Sequence, residues 1–423
     1  MNKKSKKFNL ESKKEKIIIK VKDVLLSSTS HGLPNVLRTP RKSIKCMWLL
    51  LFLIFSSIGS YMVYKTISNY LEYEIVTKIE YIRENPIEFP AVTIRNLRNS
   101  KNVVKLKDLI VFCIFDNKIC DENDFETSVN SLGFYSYKLK RKISNLPGPE
   151  YGLSLGLHLG NDTSGSLALD GLQVVVHNHF SFPGFYIGYG INGHSVAPGY
   201  ATNLEIKRIH TNKLNVPSSF CLKDITSLNS FDSDLYRYMI TSTNFTYNQK
   251  DCFNYHLGRE MNKYLNITNK IDHWMTVISK KSHSKVLIKL MEQNFKGNST
   301  LECPLECDSV RYDVSISFSK IILEGYKNYL KENDLLSFLN PKFKLLTEND
   351  SKNLAAINIF YNDLEYTRIS QLPKMDFFDL ISNIGGNLGL FIGISFLSFA
   401  EIIELFIETF YILFEKNRNL INK

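Results

Sequence analysis

The sequence predicts an α+β membrane protein, with two membrane-crossing helices near the ends of a 423-residue chain and a large disulfide-braced domain between them. Three observations lead there. Two apolar spans stand out from an ordinary composition of 44% hydrophobic and 22% charged residues. A strongly basic segment abuts the first span. Six of the seven cysteines lie between the spans.

The first span, Cys46 to Tyr64, contains no charged residue and is bounded by Lys45 and Lys65. That is close to the roughly 20 residues a bilayer-crossing helix needs, so a membrane helix is expected over 45–67. A cleaved signal peptide would have a shorter apolar core and a small-residue cleavage site. The preceding 45 residues carry thirteen Lys or Arg against Glu11, Glu15 and Asp23, a balance of +10 that equals the net charge of the whole chain. Basic residues beside a membrane helix mark the cytoplasmic side. Residues 1–44 are therefore expected as a cytoplasmic tail lying on anionic inner-leaflet lipid, where each base contributes about 1 kcal/mol. A basic run can also signal nucleic acid, but the adjoining span favours the bilayer, and no nucleic-acid partner is expected. Two spans place 412–423 in the cytoplasm too and 68–381 outside, in a plasma-membrane protein that crosses twice.

The exterior segment holds Cys113, Cys120, Cys221, Cys252, Cys303 and Cys307. An even number outside the cell suggests three disulfides, with the pairing open at this point. Cys46 is expected as a free thiol. Five glycosylation sequons also fall here, at Asn161, Asn244, Asn266, Asn298 and Asn349. Phe89–Ile94 is β-rich, and Leu172–Val176 reads as a strand. Tyr200–His210, Val310–Ser319 and Ala356–Ile369 alternate polar and apolar residues as strands do. Residues 100–150 read as short helices around a small disulfide loop, and 221–300 as more helical. Strands near both spans suggest a sheet that joins the two membrane helices. No hydrolase, zinc-protease, Walker A or dinucleotide motif occurs, so no enzyme, cofactor or metal is expected. His177 and His179 lack a third ligand at sensible spacing and are expected on a strand surface. The Gly188-Tyr189-Gly190 string lies outside both spans and reads as a turn rather than a potassium filter.

The second span, 382–411, is the most informative. Gly385, Gly389 and Gly393 recur four apart, followed by Glu401, Glu404 and Glu408 at spacings of three and four. Such spacings share one helical face. Small residues let helices approach closely, and carboxylates within a span face a water-filled path or a partner. The pattern implies a helix packed around a cation pathway. A simple anchor would explain Glu408 at the membrane interface but not Glu401 and Glu404.

Six separated strings are similar to the degenerin/epithelial sodium channel superfamily, which includes acid-sensing and peptide-gated channels. They are His31-Gly32 before the first span, YLEYEIVTK (Tyr70–Lys78), FPAVTIRN (Phe89–Asn96), VAPGYATNLEIKRI running on to VPSSFC, CPLEC (Cys303–Cys307), and IGGNLGLFIGIS with Glu401 beyond it. The resemblance covers both ends and most of the exterior. It implies an amiloride-sensitive, sodium-selective homo- or heterotrimer with a chalice-shaped ectodomain of palm, finger, thumb and knuckle, opened by a proton, a peptide or mechanical force. Gly393, Ile394 and Ser395 would form the selectivity filter, and Ser382 would occupy the position where bulky residues hold such channels open. His31 and Gly32 would form a cytoplasmic gating motif. Glu401 and Glu404 would line the inner mouth, with Asp376 and Asp379 at the outer end, concentrating Na+. The pattern pairs Cys113 with Cys120, Cys221 with Cys307 and Cys252 with Cys303. Two departures stand out: Arg95 occupies a usual cysteine position, and Ile394 is bulkier than the usual filter residue. An ATP-gated two-span trimer would need a larger cysteine framework and a lysine-rich nucleotide site. A non-conducting adhesion or auxiliary subunit would leave Glu401 and Glu404 unexplained.

Overall fold

The computed structural model describes residues 3–27, 32–98, 105–129, 135–160, 170–181, 193–217, 219–242, 246–253, 256, 302–332 and 347–414. They divide into two units, Met1–Val76 with Pro373–Lys423, and Thr77–Leu372. His31, Gly188–Gly190, Asn161, Asn244, Asn266, Asn298 and the segment 415–423 lie outside the described residues. Asn349 sits in a 3-10 turn, Glu348–Asn353, and its side chain is outside the described set.

The first unit is helical. It opens with α1 (Lys3–Ser27), α2 (Leu33–Arg38) and α3 (Lys42–Leu71). Helix α3 is apolar on all sides, the composition of a helix surrounded by hydrocarbon. Two of its hydroxyls are satisfied within the helix, Ser57 donating to the Leu53 carbonyl at 2.8 Å and Thr66 to the Met62 carbonyl at 2.9 Å. Such back-bonding lets polar side chains sit in an apolar span. Among the described residues, α3 is the one helix long and apolar enough to cross a membrane alone. At its end Tyr73 turns the chain with φ 51°.

The second unit carries the sheets. Strands β1 (Ile75–Arg83), β2 (Ile87–Glu88) and β3 (Ala91–Asn96) come first, then α4 (Leu106–Leu109), β4 (Ile110–Phe115) and β5 (Lys118–Ile119). They are followed by β6 (Phe125–Val129), β7 (Tyr135–Leu139), β8 (Ile143–Ser144), β9 (Leu153–His158), β10 (Leu172–His177), β11 (His194–Val196) and β12 (Tyr200–Asn212). After α5 (Asp234–Ser242) come β13 (Asp308–Lys320), α6 (Leu323–Glu332) and β14 (Leu354–Pro373). A seven-stranded sheet runs β13-β12-β14-β9-β4-β5, with β1 also paired to β14. A five-stranded sheet runs β11-β10-β3-β7-β6. Strands β12 and β13 are antiparallel from Tyr200↔Lys320 to Asn212↔Asp308, whereas β12 and β14 are parallel, with a bulge between Ile206 and Arg208. The expected sheet therefore forms, its β1 following α3 in sequence and its β14 leading to the second span.

Alternation in these strands supplies the core. Leu204, Ile206, Ile357, Ile359, Leu155, Ile94 and Leu172 are all essentially fully buried, each such burial contributing roughly 1.5–3 kcal/mol. Phe89 stacks edge-on against Phe115 at 5.0 Å and against Tyr361 at 6.0 Å, a favoured arrangement of ring quadrupoles.

The stretch 100–150 departs from the helical expectation. Its described part is mainly strands β4 to β8, with one short helix and brief 3-10 turns. The aromatic and β-branched run Ile110–Phe115 finds partners in β9 and β5, and that pairing outweighs the charged local composition. Cys113 and Cys120 close the β4–β5 hairpin across a turn at Asp116 and Asn117, both with positive φ, a conformation those residue types tolerate. The other two disulfides are Cys221–Cys307 and Cys252–Cys303. All three match the pairs the resemblance implied, and Cys46 is a free, exposed thiol.

Three buried polar residues were not legible as such. His177 is buried at the end of β10 rather than on a strand surface. Its Nε2 lies 2.7 Å from Thr93 Oγ1 and its Nδ1 2.8 Å from the Asn178 carbonyl. Burial lowers its pKa to about 4, because charging the ring would desolvate a cation. His179 lies beyond the strand, its Nε2 3.0 Å from the Phe89 carbonyl. Arg95 is 2% exposed in β3, opposite Gln173 and Ser136, and burial lowers its guanidinium to about 10. Asp251 is likewise buried, accepting from Asn248 Nδ2 at 2.5 Å, and burial raises its carboxyl to about 6. No group of three or more His, Cys, Asp or Glu placed to hold a metal occurs among the described residues.

Candidate functional site: the broken second span

The second apolar span forms two helices, α7 (Phe377–Ile392) and α8 (Phe396–Phe414), bent by 78° across the break between them. Only together do they have the length and composition of a membrane crossing. The span expected over 382–411 thus begins earlier, at Phe377, and it is interrupted at Gly393-Ile394-Ser395.

The interruption follows from the residues. Gly393 adopts the left-handed conformation, φ 75° and ψ 17°, which glycine reaches without the penalty a Cβ imposes. Its N–H donates to the Gly389 carbonyl at 3.0 Å, and the Ile394 N–H donates to the Leu388 carbonyl at 3.3 Å, closing the last turn of α7. The next helix restarts by reciprocal capping. The Ser395 N–H donates to Ser398 Oγ at 3.0 Å, and the Ser398 N–H donates to the Ser395 carbonyl at 3.0 Å. Ser398 is 5% exposed. Nothing in the apolar pattern singles it out, although a serine before an apolar run is a recognisable helix start.

At the other end of α7, Asp376 and Asp379 form a capping box. The Asp379 N–H donates to Asp376 Oδ1 at 2.7 Å, and the Asp376 N–H donates to Asp379 Oδ2 at 3.1 Å. Carboxylates at a helix N-terminus complement the helix dipole, and both side chains remain exposed. Just before them, Lys374 is clasped to the chain after α3. Its N–H donates to the Glu74 carbonyl at 2.9 Å and its Nζ lies 2.5 Å from Glu74 Oε2.

Ser382 is exposed on α7, and on α8 Glu401 is half-buried and Glu404 exposed. Glu408 pairs with Lys20 of α1 at 2.7 Å. That hydrogen bond raises the Lys20 pKa. Gly32 caps α2 with φ 90°, and a Cβ there would lie 3.7 Å from Phe52 of α3. Helices α3 and α7 touch, Asn387 Nδ2 donating to Thr66 Oγ1 at 3.4 Å.

A helix broken at membrane depth frees backbone carbonyls, an arrangement tolerated where the backbone lines a water-filled path. Carbonyl rings and acidic side chains then do the work of cation selection.

The sequence profile of the family described as "Amiloride-sensitive sodium channel" matches residues 24–104 and 95–405. The chain belongs to this family. Members of the amiloride-sensitive sodium channel family form part of the degenerin/epithelial sodium channel superfamily; they are plasma-membrane ion channels, not enzymes. Its curated relatives include the bile acid-sensitive ion channel of Rattus norvegicus, 24% identical over 93% of this chain and 88% of that one. The FMRFamide-activated amiloride-sensitive sodium channel of Cornu aspersum is 21% identical over 93% of this chain and 83% of that one. The epithelial sodium channel subunit gamma-2 of Xenopus laevis is 26% identical over 73% of this chain and 47% of that one. Two spans, a large extracellular domain and trimeric assembly are family properties, and this chain is a cation channel subunit of that kind.

Proposed function

We propose that the chain forms an amiloride-sensitive, sodium-selective trimeric channel, with both termini cytoplasmic and residues 68–381 outside the cell. Gly393, Ile394 and Ser395 line the filter and Ser382 marks the gate. Glu401 and Glu404 concentrate Na+ at the inner mouth, with Asp376 and Asp379 doing so outside. His31 and Gly32 belong to the cytoplasmic gating segment. The observation that carries this reading is the break at Gly393–Ser395 between two apolar helices, followed by Glu401 and Glu404. Glu408, held by Lys20, is assigned to the membrane interface instead. Ile394 is bulkier than the usual filter residue, which predicts weaker discrimination against potassium. The five sequons carry glycans, and the gating stimulus is an extracellular proton, a peptide or mechanical force.

Voltage clamp of oocytes expressing the chain, alone and with related subunits, tests this directly. Sodium replacement and amiloride should each abolish an inward current evoked by acid or by short amidated peptides. Ser382→Phe should give a standing sodium current. A Ser382→Phe chain that reaches the surface and passes no cation current in either setting would sink the reading.

A further inference from the structure

Helix α3 meets the second span at one close point. Gly59 is the buried residue of α3, and Ile392 is the buried residue of α7. A Cβ built on Gly59 would stand 3.1 Å from Phe391 Cβ and 3.7 Å from both Cγ1 and Cδ1 of Ile392. The first distance is tighter than side chains ordinarily tolerate, so any residue larger than glycine must push Phe391 away. Well-packed contacts transmit such displacements because they have no slack to absorb them. Phe391 and Ile392 form the last turn of α7 and immediately precede Gly393, whose N–H and that of Ile394 are tied back to Gly389 and Leu388 of the same turn. A second contact, Asn387 Nδ2 to Thr66 Oγ1 at 3.4 Å, fixes the register of the two helices further along.

We infer that Gly59 is a positioning residue for ion selection: its missing side chain seats the last turn of α7 against α3 and thereby sets where Gly393-Ile394-Ser395 lies. This rests on reading that tripeptide as the filter. Gly59 touches no ion. It acts through Phe391, and added bulk displaces the tripeptide rather than blocking it. The neighbouring Ile58 is exposed and serves as a control position.

The test uses the full chain in oocytes with two independent readouts. The first is the sodium-over-potassium permeability ratio, taken from reversal potentials in the Ser382→Phe background, for Gly59→Ala, Gly59→Val, Ile58→Ala and Gly59→Val combined with Phe391→Gly. Ser395→Ala and Ser395→Cys are run beside them to test the filter reading itself. The second readout needs no current. Thr66→Cys and Asn387→Cys are introduced together, with Cys46→Ser, and bridged by a short bis-methanethiosulfonate reagent on surface-labelled protein, with and without Gly59→Val. The expected results are a severalfold fall in the permeability ratio for Gly59→Val and a smaller one for Gly59→Ala. Ile58→Ala should cause no change, and Phe391→Gly, which removes the Cβ that the new side chain meets, should restore the ratio toward its original value. Bridging should fall severalfold with Gly59→Val and recover with Phe391→Gly. Unchanged bridging in Gly59→Val overturns the inference. So does an unchanged permeability ratio in Gly59→Val when the Ser395 variants shift it, and that result leaves the filter reading standing. If the Ser395 variants leave the ratio untouched, or Ser382→Phe passes no current with any subunit, the filter reading falls and the inference with it.

Discussion

The two apolar spans of this chain solve the same problem in opposite ways. Helix α3 runs unbroken from Lys42 to Leu71, with the Ser57 and Thr66 hydroxyls bonded to its own backbone. The second span is broken after 16 residues of α7, resumes as 19 residues of α8, and uses glycine and serine side groups to manage the break. An unbroken helix satisfies every backbone group and offers an ion nothing. A broken one releases carbonyls where they are useful and needs local chemistry to remain stable. On the proposed function the first span is the scaffold and the second the conducting element, with the inferred Gly59 contact as the place where one supports the other.

That contrast can be broken or sharpened by experiment, beginning with the largest effect. Phe55→Pro inside α3 removes a helix hydrogen bond and costs about 3 kcal/mol. Surface biotinylation should show near-complete loss of the chain, and normal delivery would contradict the scaffold role of α3. Stability comparisons between the spans also require a fixed pH, because Asp251 titrates in the other unit. Its carboxyl is raised from 3.8 to about 6 by burial, so the folded state holds a proton that the unfolded chain releases. Its contribution to stability is therefore fully present below pH 3.8 and lost as pH rises through 6, an effect on the order of 2–3 kcal/mol. Asp251→Asn should flatten that limb in thermal melts of the solubilised protein, and an unaltered slope would show that Asp251 titrates normally.

Two glycines of the second span should respond with opposite signs. Gly393→Ala puts a Cβ on a left-handed residue and costs about 1–2 kcal/mol, with a matching loss of current. Gly386→Ala lies within α7 with nothing near its added Cβ and should gain about 0.5–1 kcal/mol. Equal effects at the two positions would mean that Gly393 is not the helix stop. The smallest effect belongs to the clasp between the chain segments flanking the spans. Glu74→Gln should cost little stability, and less at high salt, as exposed ion pairs do. A larger loss would make the Glu74–Lys374 contact a structural hinge rather than a surface pair.

The alternating strands at Tyr200, Val310 and Ala356 were legible because a period of two survives in any half-buried strand. The region 100–150 was not, because Ile110–Phe115 becomes a strand only by pairing with β9 and β5, distant or adjoining segments that local composition does not report. The same holds for the candidate site. Gly385, Gly389 and Gly393 look equivalent in a pattern of fours, yet only Gly393 takes a positive φ, while a Cβ at Gly385 would meet nothing within 4 Å. Asp376 and Asp379 read as outer acids and also turn out to cap each other's backbone.

By itself the sequence determined the apolar length of the first span, the acidic face of the second, the basic tail and the cysteine set, since each depends only on residue type and spacing along one element. Tertiary structure decided that Arg95 and His177 are buried, that Ser398 restarts a helix, and that Gly59 meets Phe391. Each of these depends on which distant backbone arrives opposite, and no periodicity within one segment encodes that encounter.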